Sequence, residues 1–189
     1  MDDREIYILL THTGSLLSKL IKRHTKEPYS HVSISFDLDL TEVYSFGRKN
    51  PRNPLIAGFI VEDIRNGTYA IFSDTTYSLY SLSVDEHQLK KLKQIMAEFG
   101  ENKQRSSYNL MGLLGVYLGY PINRTYSYFC SQFVAFAFEK SGIAILDKPF
   151  GLATPKDFRT CSSLKLIRTG KLTYFNSDKD MEPELKEIS

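Results

Sequence analysis

The chain of 189 residues has few cysteines, no long apolar run and little excess charge. Its two cysteines, Cys130 and Cys161, are too few for a disulfide scaffold, which indicates a reducing compartment and a fold held together by apolar burial. The N-terminus opens with acidic residues, and its apolar run is too short for a signal peptide or a membrane span. We therefore predict a cytoplasmic protein without a transmembrane segment.

Several common functional motifs are also missing. The sequence contains no glycine-rich phosphate loop, no CxxC pair and no HExxH, so we predict no cofactor and no metal. A formal charge of +2 gives no field that would favour nucleic acid as a partner. With 42% apolar and 24% charged residues the composition is that of one packed domain. We place this domain at residues 1–175 and a charged tail at residues 176–189.

Hydrophobic patterning predicts both strands and helices. Short apolar or alternating runs predict strands over 5–10, 31–37 and 41–47, further strands from 55, 69 and 77, and a closing hairpin over 164–168 and 171–175. Helical spacing predicts helices from Ser15 up to Pro28, over 85–99 with a capping box of Ser83 and Glu86, over 108–119 and over 129–140. Two prolines place residues 50–54 in a surface loop, because each removes a ladder donor.

Cys130 is the candidate nucleophile. The pattern puts it in the first turn of the helix over 129–140, where unpaired N–H groups and the positive end of the helix dipole stabilise a thiolate. The alternative is a small core residue, because free cysteine is among the most buried residue types. Cys161 lies in a polar Thr-Cys-Ser-Ser segment and is interpreted as incidental.

A thiolate needs a partner that takes and returns a proton, and the chain offers four histidines. His31 begins a predicted strand, which is a rigid position from which to hold an imidazole opposite a helix N-terminus. A hydrogen-bonded structural histidine is the alternative for His31. We expect surface or partly buried helix positions for His87 and His24, and His12 is a minor candidate for the base.

Strand alternation predicts which side chain orients His31. If Val32 and Ile34 face the core, His31 shares the other face with Ser45 of the next strand. Glu42 would stabilise an imidazolium more strongly, but this register puts it on the opposite face. A slip of one residue would exchange Ser45 and Glu42.

Four segments in order resemble a known family: LLTHTGSLLSKLIKRHTKEPYSHVSIS, SSYNLMGLLG, YFCSQFVAFAFEKSGI and ATPKDF. Together they resemble the circularly permuted NlpC-type papain-like family, also called YiiX/YaeF-like, in which the histidine strand precedes the cysteine helix. The most specific matches are residues 28–32 and 130–134. The resemblance implies an α+β fold, with an antiparallel sheet or half-barrel against which the nucleophile helix packs.

The resemblance also implies site residues, with Cys130 as nucleophile and His31 as general base. The family often carries a glutamate in the strand after the histidine strand, and the matching position here is Ser45. We expect Ser45 to orient the imidazole without adding charge, which leaves the ion pair less stabilised. Tyr126 and Tyr128, just before the nucleophile, are candidates to line the substrate site, with aromatic packing as the alternative.

These residues predict a cysteine hydrolase of peptide, isopeptide or N-acyl amide bonds, acting on a small acyl, peptide or amino-acid-containing substrate. Two alternatives stay open: an acyltransferase or lipid deacylase that uses the same residues, and a binding module that lost turnover when Ser45 replaced a carboxylate. A cell-wall substrate would require export, so the missing signal peptide favours an intracellular acyl or amide substrate. The sequence favours no particular oligomeric state.

Overall fold

Six antiparallel strands form the central sheet of the computed structural model, which describes residues 4–15, 18–19, 22–23, 26–50, 53–109, 120, 122 and 125–175. The strands are β1 (Arg4–His12), β2 (His31–Ser35), β3 (Val43–Asn50), β4 (Asn53–Glu62), β5 (Thr76–Val84), β6 (Ser107–Tyr108), β7 (Ser127–Tyr128) and β8 (Lys165–Lys171). The sheet order is β4-β3-β2-β1-β5-β8, and β6 pairs with β7 in a separate parallel pair.

The helices make the fold α+β, in agreement with the predicted class. Within the described residues, the helices with both ends defined are α1 (Gly67–Ile71), α2 (Glu86–Glu101), α3 (Cys130–Lys140) and α4 (Pro155–Arg159), with 3-10 turns at Phe150–Leu152 and Leu172–Tyr174. Of the predicted helix between Ser15 and Pro28, the described residues 18–19 and 22–23 are helical. No helix among the described residues combines the length and the apolar character needed to cross a bilayer.

The central sheet has an apolar cluster on each face. On one face α2 and α3 pack against the sheet, and Phe133 of α3 is fully buried with Val32 and Phe46. Burial of a phenylalanine side chain contributes about 1.5–3 kcal/mol, so α3 is held firmly on β2 and β3. A smaller cluster on the other face contains Tyr69 and Tyr77. The predicted packing of the cysteine helix on an antiparallel sheet is therefore present.

Two predicted β segments are wrong. The run from Tyr69 is part of α1, because a short apolar run fits a strand and a buried helix equally well by periodicity. The predicted hairpin over 164–168 and 171–175 is instead one continuous strand, β8, which pairs with β5 and ends in a 3-10 turn. Pairing along β5 satisfies the backbone without a turn at Gly170.

Helix and loop boundaries differ from the predictions in three places. The capping box of α2 uses Asp85 and Gln88, not Ser83 and Glu86. The strands β3 and β4 extend into the predicted loop over 50–54, which β4 tolerates because it is an edge strand. The predicted helix over 108–119 lies outside the described residues except for 108–109, and the tail 176–189 lies wholly outside them.

Candidate active site

His31 is the first residue of β2 and lies opposite Thr11 of β1. On its other side is β3, where Gly47 leaves space beside the ring. A Cβ added at Gly47 would lie 3.5 Å from His31 Cε1 and 2.9 Å from Ile60 Cδ1. The imidazole therefore occupies a position between two strands whose backbones are fixed by the ladder, with 21% of the side chain exposed. This is the rigid strand-end position that the sequence predicts for His31.

Cys130 is the first residue of α3, also as predicted. The preceding residue, Phe129, has an extended backbone, and its N–H donates to Gln132 Oε1 at 3.4 Å. Asn109 Nδ2 donates to the same Oε1 at 3.1 Å and to the Ile122 carbonyl at 2.8 Å. Because Asn109 and Gln132 are fully buried, these bonds fix the start of the helix and with it the direction of the Cys130 side chain.

The structure brings Cys130 and His31 into hydrogen-bond contact and adds a carboxylate to the pair. His31 Nε2 lies 2.6 Å from Glu62 Oε1, and the Cys130 side chain hydrogen-bonds to the imidazole. Because Nε2 is engaged by Glu62, Nδ1 is the ring nitrogen available to the sulfur. Backbone N–H groups of Val32 and Ser131 also donate to Cys130. The Cys130 sulfur, the His31 imidazole and the Glu62 carboxylate are thus linked by successive hydrogen bonds.

Glu62 is the last residue of β4, and its side chain is only 4% exposed. Its Oε1 accepts from Ser33 at 3.0 Å and from Ser45 in addition to contacting His31. Its Oε2 accepts from the hydroxyl of Tyr69 at 2.5 Å. A buried carboxylate is stable only when its oxygens are hydrogen-bonded, and here three hydroxyls and one imidazole meet that need.

The three groups support one another's charged forms. Burial alone would lower the pKa of His31, but the negative charges of Glu62 and Cys130 outweigh it and raise that pKa to about 10. Burial would likewise raise the pKa of Glu62, and His31 together with the hydroxyls of Ser45 and Tyr69 lowers it to about 2. Burial also works against the Cys130 thiolate, yet His31 and two backbone N–H groups lower the pKa of Cys130 overall. The arrangement favours thiolate, imidazolium and carboxylate together.

Ser45 shares the sheet face of His31, in the register that alternation predicts. Ile34 pairs with Tyr44 and Ser35 with Val43, which fixes that register. The hydroxyl of Ser45, however, donates to Glu62 instead of orienting the imidazole itself. Glu42 is exposed, with its backbone N–H on Asp37 Oδ2, so it takes no part in this chain of contacts.

Glu62 is the site residue that sequence reasoning missed, and its contact corrects the expectation that no charge supports the imidazole. The signal in the sequence is a carboxylate directly after the apolar run of β4. This strand pairs with β3, with Ser45 opposite Ile60 and Val43 opposite Glu62. Paired residues share a face, so Glu62 lies on the face of Ser45. The carboxylate expected in the strand next to His31 is supplied from one strand further along the sheet.

Tyr126 and Tyr128 lie in aromatic packing between α2 and α3. Tyr126 has φ +55°, its ring centroid lies 5.3 Å from that of Phe99 in a tilted arrangement, and its hydroxyl donates to Glu98 Oε1 at 2.9 Å. The ring of Tyr128 is 5.3 Å from that of Phe46 and is buried. Both tyrosines line a cavity of about 420 Å³, and neither Cys130 nor His31 lines it. These contacts agree with aromatic packing, the alternative stated for the two tyrosines, and a role in lining the substrate site stays a prediction.

His12, His87 and Cys161 lie apart from the contacts of Cys130, His31 and Glu62. His12 Nδ1 is 2.7 Å from Ser18 Oγ, and burial together with Lys22 and Lys19 lowers the pKa of His12. His87 is exposed on α2, and His24 lies outside the described residues. Cys161 Sγ donates to the Ile145 carbonyl at 3.3 Å.

The contacts of Cys130, His31 and Glu62 suit nucleophilic attack with proton transfer through the imidazole. Among the residues that the structure describes, no three or more His, Cys, Asp or Glu side chains are arranged to hold a metal ion. Comparison with family models, with curated proteins and with solved structures gave no match to this chain.

Proposed function

We propose that the protein is a cysteine hydrolase of amide or related acyl bonds, built on the permuted NlpC-type papain-like plan that its sequence resembles. The observation that carries the proposal is the position of His31, hydrogen-bonded to the Cys130 side chain on one side and to Glu62, at 2.6 Å, on the other. The arrangement supplies a nucleophile, a proton carrier and an orienting carboxylate, the three groups that nucleophilic acyl transfer uses.

In the first half-reaction the Cys130 thiolate attacks the substrate carbonyl carbon and forms a C–S bond. The carbonyl electron pair moves onto oxygen, where the Cys130 backbone N–H at the start of α3 contributes to the oxyanion hole. As the intermediate collapses, the C–N bond breaks and its electron pair leaves with nitrogen. The His31 imidazolium donates its proton to that nitrogen, and the products are a free amine and a thioester on Cys130.

In the second half-reaction neutral His31 takes a proton from water, and the resulting oxygen nucleophile attacks the thioester carbon. Collapse of this second intermediate breaks the C–S bond, releases the carboxylic acid and regenerates the thiolate beside the imidazolium. Glu62 keeps the ring oriented throughout and stabilises its charged form.

Glu62 also bears on the alternative of a binding module. That alternative was motivated by the loss of a carboxylate at Ser45, and Glu62 places a carboxylate on the same imidazole. An acyltransferase or lipid deacylase would use the same three residues and differ only in the acceptor of the acyl group.

Trapping of the acyl-enzyme tests the proposal. The protein is mixed with 4-nitrophenyl esters of short and long acyl chains, and nitrophenolate release and the mass of each cysteine peptide are followed. We expect a burst of about one nitrophenolate per chain and the acyl mass on Cys130. The Cys161→Ser variant should retain both signals, whereas Cys130→Ser, which keeps the other thiol, should lose them.

The fate of the acyl group then distinguishes a hydrolase from an acyltransferase. Release of the acyl group as a carboxylic acid supports a hydrolase. Preferential transfer of the acyl group to an added amine would identify an acyltransferase instead. The proposal is overturned if Cys130→Ser acylates as fast as the wild type. It is also overturned if no Cys130 acylation occurs while Cys130→Ala binds N-acyl amino acids or peptides as tightly as the wild type, which is the behaviour of a binding module.

A further inference from the structure

We propose that Tyr69 is a positioning residue for the Cys130–His31 pair and acts through Glu62. The inference rests on the proposed function, since it concerns how that site is held. Nothing in the sequence pattern around Tyr69 points to such a role, because the run YAIFS by itself indicates only a buried apolar segment.

The contacts divide the two oxygens of Glu62 between different partners. Oε1 is the oxygen that contacts His31, and it also accepts from Ser33 and Ser45. Oε2 accepts from the Tyr69 hydroxyl at 2.5 Å. A carboxylate can rotate about its last C–C bond and exchange its oxygens. With Tyr69 holding Oε2, Oε1 stays directed at the imidazole.

The connection between β4 and α1 positions the Tyr69 hydroxyl next to Glu62. Residues 63–66 connect β4 to the helix α1, and Gly67, with φ +60°, allows the backbone to turn back toward the sheet. The Tyr69 ring is then buried in the smaller apolar cluster with Tyr77, and its hydroxyl lies beside Thr11, the residue paired with His31 across β1 and β2. Packing of the ring therefore sets the place of the hydroxyl.

The electrostatic surroundings give the direction of the effect. Among the described residues, the titratable groups that face Glu62 are His31 from β2, Tyr69 from α1 and, through the imidazole, Cys130 from α3, while Ser33 and Ser45 are neutral donors. Removal of the phenolic hydroxyl takes a hydrogen bond from a buried carboxylate, so the ionised form of Glu62 becomes less favourable. A less ionised or rotated Glu62 stabilises the His31 imidazolium less, and the pKa of His31 falls.

A purely structural tyrosine would behave differently. Loss of its hydroxyl would lower stability and leave the protonation of His31 unchanged. The readout is therefore the pKa of His31 itself, followed by NMR of imidazole-labelled protein with the resonance assigned from a His31→Gln variant. Tyr77→Phe is the matched control, since Tyr77 is a buried tyrosine of the same cluster and is not among the hydroxyl donors to Glu62.

We expect Tyr69→Phe to lower the pKa of His31 by about one pH unit, a tenfold change in its protonation equilibrium, and Tyr77→Phe to leave it within about 0.3 of the wild type. A second variant tests the route of the effect. In a Glu62→Gln background, where no buried charge remains for Tyr69 to hold, Tyr69→Phe should produce no further change.

Each outcome has a definite meaning. A raised His31 pKa in the wild type that Tyr69→Phe leaves unchanged would overturn the inference and leave the proposed function standing. An equal shift in Tyr77→Phe, or a full shift in the Glu62→Gln background, would overturn it too. An ordinary His31 pKa in the wild type would overturn the inference as well, whereas the proposed function is decided separately by acylation of Cys130.

Discussion

Replacement of Glu62 by glutamine is the substitution whose effect the structure defines best. It keeps the size and shape of the side chain and removes the negative charge that lies 2.6 Å from His31 Nε2. The imidazolium then loses its carboxylate partner, while the hydroxyls of Ser33 and Ser45 keep an oxygen to which they can donate. We expect the pKa of His31 to fall.

The size of the fall follows from two independent estimates. An opposite charge within about 4–6 Å shifts a pKa by about 1–3 pH units, which is about 1.4–4 kcal/mol. Unit charges about 4 Å apart at an effective dielectric constant of about 20 interact by about 4 kcal/mol, at the upper end of that range. Starting from a pKa of about 10, the variant should retain an imidazole that titrates about 1–3 pH units lower.

The assay is an NMR titration of His31 in the wild type and in Glu62→Gln, with circular dichroism to establish that the variant is folded. A fall inside the stated range supports the charge contact. A folded variant whose His31 titrates at the wild-type pH would refute the reasoning, because the carboxylate would then contribute nothing to the imidazolium.

Two further predictions concern stability. Because the pKa of Glu62 is lowered from its usual 4.5 to about 2, the stability it contributes is present above pH 4.5 and is lost as the pH falls through about 2. Chemical unfolding at a series of pH values should show this acid loss in the wild type and a flatter profile in Glu62→Gln; parallel profiles would contradict it. Gly58→Ala places a Cβ 2.6 Å from the Ser106 carbonyl oxygen and should destabilise by about 1–3 kcal/mol, whereas Gly100→Ala, with open space in α2, should stabilise by about 0.5–1 kcal/mol in the same unfolding assay. Equal changes in the free energy of unfolding for the two variants would show that the close backbone approach at Gly58 does not affect stability.

Local patterns predicted the elements that carry the site. The alternation around His31 indicates a strand and assigns Ser45 to the same face, and the β2–β3 register agrees. The apolar spacing after Phe129 indicates a helix, which places Cys130 at its first residue. These predictions succeed because strand alternation and helical periodicity depend on residues close together in the chain.

The carboxylate partner depends on contacts that no local pattern contains. Glu62 reaches His31 only because β4 pairs with β3 and the hydroxyls of Ser33, Ser45 and Tyr69 meet on one buried carboxylate. The run from Tyr69 predicts a strand where the structure has a helix, since five apolar and small residues carry too little periodicity to separate a strand from a helical turn. Contacts between residues far apart in the sequence determine both the Glu62–His31 pair and the conformation around Tyr69.

The proposed function requires that the protonated His31 beside Cys130 lowers the pKa of the Cys130 thiol below that of free cysteine. This lowering is measured by the rate of iodoacetamide alkylation of the Cys161→Ser variant, which has Cys130 as its one thiol, at pH 6 and pH 8. Free cysteine, with a pKa of about 8.5, should react roughly 75-fold more slowly at pH 6 than at pH 8, and we expect the rate of Cys130 to fall by clearly less, because its pKa is lowered. A Cys130 rate that falls between pH 8 and pH 6 as steeply as that of free cysteine would show that His31 does not activate the thiol.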